Sequence, residues 1–136
     1  MHTATARYAG HLRTEATHVA SGTTIHTDAP VDNHGRGEAF SPTDLVCTGL
    51  GACMMTIMGI VAERHQLNLV DSTYTVVKHM STEAPRRIAQ IDVTFQLPAV
   101  LSASERALLE RSAHTCPVTL SLHPDIKQNV VFLYEC

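Results

Sequence analysis

From Leu45 to Ala62 the chain carries no charged residue, and Glu63, Arg64 and His65 close the run. Ahead of it stands Ser-Pro-Thr-Asp. Ser41 suits an N-cap and Pro42 the first helical position, while Asp44 at the third completes a capping box near the positive end of the helix dipole. The stretch Ser41–His65 therefore predicts one long helix. A surface helix of a soluble protein shows a polar stripe, and this one has none. It is expected to be buried nearly all round, with Cys53 close to its middle. A run of 18 residues also approaches the length that crosses a bilayer, about 20. However, Thr48, Thr56, Gly49, Gly51 and Gly59 lie within it and no Trp or Tyr flanks it, which favours a buried central helix over a membrane span.

A chain of 136 residues suits one domain with its own core, and residues 1–136 are read as a single domain. A net charge of −3 without a basic block, with aromatic residues at 4% and no Trp, gives no footing for nucleic-acid binding. The opening residues MHTATARYAGHLRTE hold no apolar segment of the kind that heads a secretory signal, so a cytoplasmic protein is expected. In that compartment four cysteines read as reactive, ligating or buried thiols, not as a disulfide frame.

Residues Thr3–Asp28 are rich in β-branched side chains around Ser21-Gly22, which predicts a β-hairpin. The loop PVDNHGRGE follows and leads into the long helix. Beyond that helix, Leu69–Ser81 predicts a strand. In the next one Ala89, Ile91, Val93, Phe95 and Leu97 alternate with polar residues, giving one apolar face. Ser102 or Ser104 caps a second helix running to Cys116-Pro117, and Ile126–Tyr134 predicts a last strand. The order β-β-α-β-β-α-β points to an α+β fold, with helices on one face of an antiparallel sheet.

Any chemistry rests on the cysteines. Cys47 lies six positions before Cys53, about 240° round a helix, so the two do not share a face. Cys47 is read as a core residue and Cys136, at the last position, as incidental. Cys53 sits among Gly49, Ala52 and Thr56, a small-residue face that would admit a second helix closely. Cys116 ends a helix, where Pro117 breaks the chain. From the residues alone two readings stay open for Cys53 and Cys116: a redox pair, or two buried structural thiols. A zinc site joining them to His114 and His123 is a third idea, but no closely spaced ligand pair supports it. His114 also invites two readings, a group that favours the Cys116 thiolate or a polar end to the helix.

The segment SPTDLVCTGLGAC, followed much later by CPVT, resembles the OsmC/Ohr superfamily of thiol-dependent peroxidases, with Pro42, Ala52-Cys53 and Cys116-Pro117-Val118-Thr119 matching in order and spacing. The resemblance implies an intertwined homodimer, its sheets wrapped on long central helices and its active sites at the dimer interface. It implies that Cys53 attacks the O–O bond of an organic hydroperoxide and becomes a sulfenic acid. Cys116 would then close a disulfide with it, which a dithiol of the lipoyl type reduces. Such a protein would serve the oxidative stress response and call for no cofactor, metal, nucleic acid or membrane. A member of the same fold with weak or no peroxidase activity would instead bind a small hydrophobic ligand at that interface.

In the family an arginine from the N-terminal sheet, held by a glutamate directly after the helix-start proline, opposes the rise in thiol pKa that burial brings. Here Thr43 stands at the glutamate position and Asp44 one residue on, about 100° round the helix. For the arginine, Arg13 is the first choice and Arg36 the substitute. Thr43 and Asp44 lie about 14–15 Å along the helix axis from Cys53, so they approach a Cys53 only through a second copy of the helix.

Overall fold

The structure is a computed structural model that describes residues 1–136. In chain order it comprises β1 (Ala4–Gly10), β2 (Arg13–His18), β3 (Thr24–Asp28), a 3-10 turn at Val31–Asn33, α1 (Pro42–Arg64), β4 (Thr73–Met80), β5 (Ile88–Gln96), α2 (Ala103–Ala113), α3 (Pro117–Ser121) and β6 (Lys127–Leu133). The class is α+β, with two three-stranded sheets. The chain forms two compact units, Met1–Val46 and Cys47–Cys136.

In the first unit β1, β2 and β3 make an antiparallel meander, with Ala4 opposite His18 and Arg13 opposite Asp28. The predicted hairpin is thus three strands. Its Ser21-Gly22 turn is present, with Gly22 at φ +76° and its N–H bonded to His18 O. The additional turn lies at Gly10-His11-Leu12, where all three residues have positive φ. His11 and Leu12 are not residues that advertise a left-handed conformation, which is why the sequence conceals this turn. The loop after β3 folds back on itself. A Cβ on Gly35 would stand 1.7 Å from Ala29 O, so only glycine fits.

The start of α1 follows its local chemistry. Asp44 N–H donates to Ser41 Oγ and Ser41 N–H donates to Asp44 Oδ2, both at 3.0 Å, with Pro42 as the first helical residue. Its end is a Schellman stop. Gln66 has φ +58°, Leu67 N–H reaches Ala62 O and Gln66 N–H reaches Glu63 O.

Within the second unit α1 buries one stripe, Cys47, Leu50, Gly51, Met54, Met58 and Ala62, at helical spacing. The expectation of burial all round is corrected. Only 33% of the apolar window is buried, and Ala52, Thr56 and Ile60 are exposed. The stripe packs with Ile91, Val93, Phe95 and Leu97 of the β5 segment and with Leu109, Ala113 and Cys116. β5 is the central strand, antiparallel to β4 but parallel to β6, which corrects the all-antiparallel sheet. The reason is the connection: α2 and α3 carry the chain back along the sheet before β6 begins, and such a crossover delivers a parallel strand. A one-sided alternation on β5 reads alike with either neighbour.

Candidate functional site

The second unit brings Cys53 and Cys116 together. Cys53 lies on α1, three residues past Leu50 and one before Met54, both fully buried. It is therefore beside the buried stripe and partly open to solvent. Cys116 is fully buried and caps α3. Cys116 and the Val118 backbone N–H lie close enough to the Cys53 thiol to act on it, and all four cysteines are free. Burial pushes the Cys53 thiol up, the Val118 N–H opposes this, and the neighbouring Cys116 adds to the rise.

Cys116 is fixed by its own short motif. Pro117 starts α3 directly after it, which turns the Thr119 N–H back onto Cys116 Sγ at 3.3 Å. The Cys116 thiol in turn donates to Thr119 Oγ1 at 3.0 Å. Cys47 is 1% exposed and belongs to the core, and Cys136 is exposed. His114 packs edge-on to Phe132, with ring centroids 6.0 Å apart. The His123 ring is engaged by the Asp125 N–H at 3.0 Å. No three His, Cys, Asp or Glu side chains converge on a point where a metal ion would sit.

In the first unit Arg13 is clamped by a residue that the sequence did not single out. Arg13 Nε donates to Asp28 Oδ1 at 2.7 Å and Nη2 to Asp28 Oδ2 at 2.9 Å, a bidentate pair set by the register of β2 on β3. Asp28 is 1% exposed and also accepts the Glu38 N–H at 3.0 Å. The hydrogen bond from Arg13 holds the Asp28 carboxyl below the usual carboxylate range, against the opposing effect of burial. Arg36 is exposed and touches Asp28 only by long-range attraction. An aspartate at the end of a threonine-rich strand reads in sequence as the start of a turn. Only the strand register shows that it faces an arginine.

Residues 35–131 match the family described as OsmC-like protein. Among solved structures, the chain is 43% identical to a protein of Psychrobacter arcticus 273-4 named for osmotic stress induction and a detoxification response, with 97% of this chain and 96% of that one covered and a TM-score of 0.93. It shares its fold with an organic hydroperoxide resistance protein OsmC of Legionella pneumophila at 18% identity, with 98% of each chain covered and a TM-score of 0.75. A similar match is an organic hydroperoxide resistance protein of Elizabethkingia anophelis, at 15% identity, with 99% of this chain and 98% of that one covered and a TM-score of 0.77. A search of curated proteins returns no match.

Proposed function

The chain belongs to the OsmC-like protein family, and from that premise we propose that it is a thiol-dependent peroxidase reducing organic hydroperoxides, with hydrogen peroxide as a second oxidant. The observation that carries this reading is the proximity of Cys116 to the Cys53 thiol, close enough to act on its ionisation. A Cys53 thiolate attacks the distal oxygen of the hydroperoxide and the O–O bond breaks. The alkoxide takes a proton and leaves as alcohol, and Cys53 holds a sulfenic acid. The Cys116 sulfur then displaces hydroxide from that sulfur, which leaves as water, and a Cys53–Cys116 disulfide forms. A dithiol reductant of the lipoyl kind restores both thiols.

Arg13 serves in this reading as the cation that favours the thiolate at Cys53, against the burial that pushes the thiol up. Residues 1–136 act as one domain, in the cytoplasm, and the working form is a homodimer. The open face of α1 around Ala52, Thr56 and Ile60 supports the dimer, since an apolar surface of that length needs a partner.

The test is stoichiometric. One equivalent of an organic hydroperoxide is expected to consume two thiols and yield the Cys53–Cys116 disulfide on peptide mapping. Cys53→Ser is expected to be inert, and Cys116→Ser to accumulate sulfenic or sulfinic acid at Cys53. The raised Cys53 thiol favours a second reading, a family member with weak peroxidase activity that binds a small hydrophobic ligand at the dimer interface. Both thiols remaining titratable after peroxide would sink the first reading in favour of the second.

A further inference from the structure

We infer that Thr119 is the positioning residue for Cys116 when the disulfide closes, a role that rests on the redox reading of Cys53 and Cys116. Its hydroxyl first holds the thiol proton aside and then turns to steady the sulfur anion. The Cys116 thiol donates to Thr119 Oγ1 at 3.0 Å, and the Thr119 N–H donates back to Cys116 Sγ at 3.3 Å. A thiol sulfur carries one proton and two lone pairs. Thr119 engages the proton and one of the pairs, which leaves the other pair for an electrophile. Cys116 is 0% exposed, so bulk water does not stand in for either partner.

Thr119 is itself held. Pro117 starts α3, the Leu120 N–H closes on Cys116 O at 3.2 Å, and Gln128 Nε2 on β6 donates to Thr119 O, also at 3.2 Å. A β-branched side chain has few χ1 rotamers open to it, which keeps the hydroxyl beside the sulfur. The preceding N–H, that of Val118, acts on Cys53. Successive amides of one turn thus serve the two sulfurs, and Thr119 stands on the resolving side. Closure forms the S–S bond and breaks the S–O bond of the Cys53 sulfenic acid, and the Cys116 proton joins the departing hydroxide as water. Because a hydroxyl both accepts and donates, Thr119 Oγ1 accepts from the thiol before that proton leaves and donates to the sulfur afterwards. Hydrogen bonds to an anion are the stronger kind, so the second duty speeds closure.

Ring closure is followed with two oxidants, in a Cys136→Ser background that removes the exposed terminal thiol. Dithiodipyridine forms a mixed disulfide at Cys53 and releases one pyridinethione. Cys116 then displaces the second, with no peroxide involved. An organic hydroperoxide reports the same closure from the sulfenic acid, scored by peptide mass spectrometry as disulfide against sulfinic acid at Cys53. In Thr119→Val the second pyridinethione is expected to appear about tenfold more slowly, the scale of one lost hydrogen bond to a charged sulfur. Excess peroxide is expected to shift Cys53 in that variant from disulfide to sulfinic acid, and Thr119→Ser to restore both readouts. Thr119→Ala serves where valine disturbs the fold, as judged by circular dichroism. Closure at the wild-type rate without the hydroxyl, or failure of serine to restore it, overturns the positioning role. Slowed pyridinethione release beside thiols that peroxide leaves titratable upholds Thr119 and removes the peroxidase reading alone. A wild-type protein that never releases the second pyridinethione overturns both.

Discussion

A Cβ on Gly51 would stand 2.5 Å from both Cδ2 and Cε2 of the Tyr74 ring, so α1 and β4 meet at a distance only glycine allows. The ring has little freedom to yield, since Tyr74 packs against Phe95 with centroids 5.9 Å apart, and Phe95 is fully buried. Gly51→Ala must therefore move the helix or the strand. The expected cost is about 1–3 kcal/mol, as for other overpacked cores, read as a lower urea midpoint. Because Cys53 lies two residues further along the same helix, peroxide-driven disulfide formation is expected to slow as well. An unchanged midpoint would show that the contact is not tight.

Local chemistry made some of this legible in the sequence and left the rest hidden. Ser41, Pro42 and Asp44 announce the start of α1 because a capping box is made by neighbours in the chain. Its end was marked by the charges at Glu63, Arg64 and His65, although Gln66 takes the left-handed position that glycine usually advertises. The alternation of β5 revealed its apolar face but not the direction of β6, which the helical crossover sets. The uncharged surface of α1 was plain, but its division into a buried stripe and an open face depends on what packs against it. The Cys53 and Cys116 motifs were readable as chemistry, while their meeting is a tertiary event. Asp28 could not be foreseen as the partner of Arg13, since that pairing depends on a three-strand register hidden by the turn at His11-Leu12.

The Cys116 sulfur acts on Cys53 even before any oxidant arrives. Burial is the largest cause of the raised Cys53 thiol, and the Cys116 neighbour raises it further while the Val118 N–H lowers it. Cys116→Ala removes that neighbour's share and keeps the Val118 N–H. The pH midpoint for alkylation of Cys53 is expected to move down in this variant, with no disulfide formed after peroxide. A midpoint that stays or rises would show that Cys116 does not act on the Cys53 thiol. A folded-state Cys53 pKa above the unfolded value of about 8.5 gives stability that is full below that pH. The stability is then lost as pH rises through the folded value.

Asp28 carries the opposite sign. Its carboxyl titrates below the ordinary range, chiefly through the hydrogen bond from Arg13. The associated stability is present above the unfolded value of about 3.9 and is lost as pH falls through the folded one. Melting temperature followed from neutral to acid pH is expected to drop steeply in the wild type at the low end. Asp28→Asn is expected to start lower at neutral pH and to fall less steeply, because no proton is taken up at this position. Parallel curves for the two proteins would show that the pair adds nothing to acid stability.

Thr56 is exposed, and its hydroxyl donates to Ala52 O of its own helix at 2.8 Å. Ile60, one turn further along the same helix face, is 42% exposed. If a second copy covers this face, small residues such as Ala52 and Thr56 set the distance between the two helices, and a long cation there cannot be accommodated. Thr56→Arg is expected to turn a dimer into a monomer by light scattering coupled to size-exclusion chromatography, with the far-ultraviolet circular dichroism retained. Peroxidase activity is expected to fall with it, since the proposed active sites lie at the interface between the two copies. A wild-type monomer, or a Thr56→Arg dimer of unchanged affinity, would place the subunit contact on another surface or remove it from the mechanism.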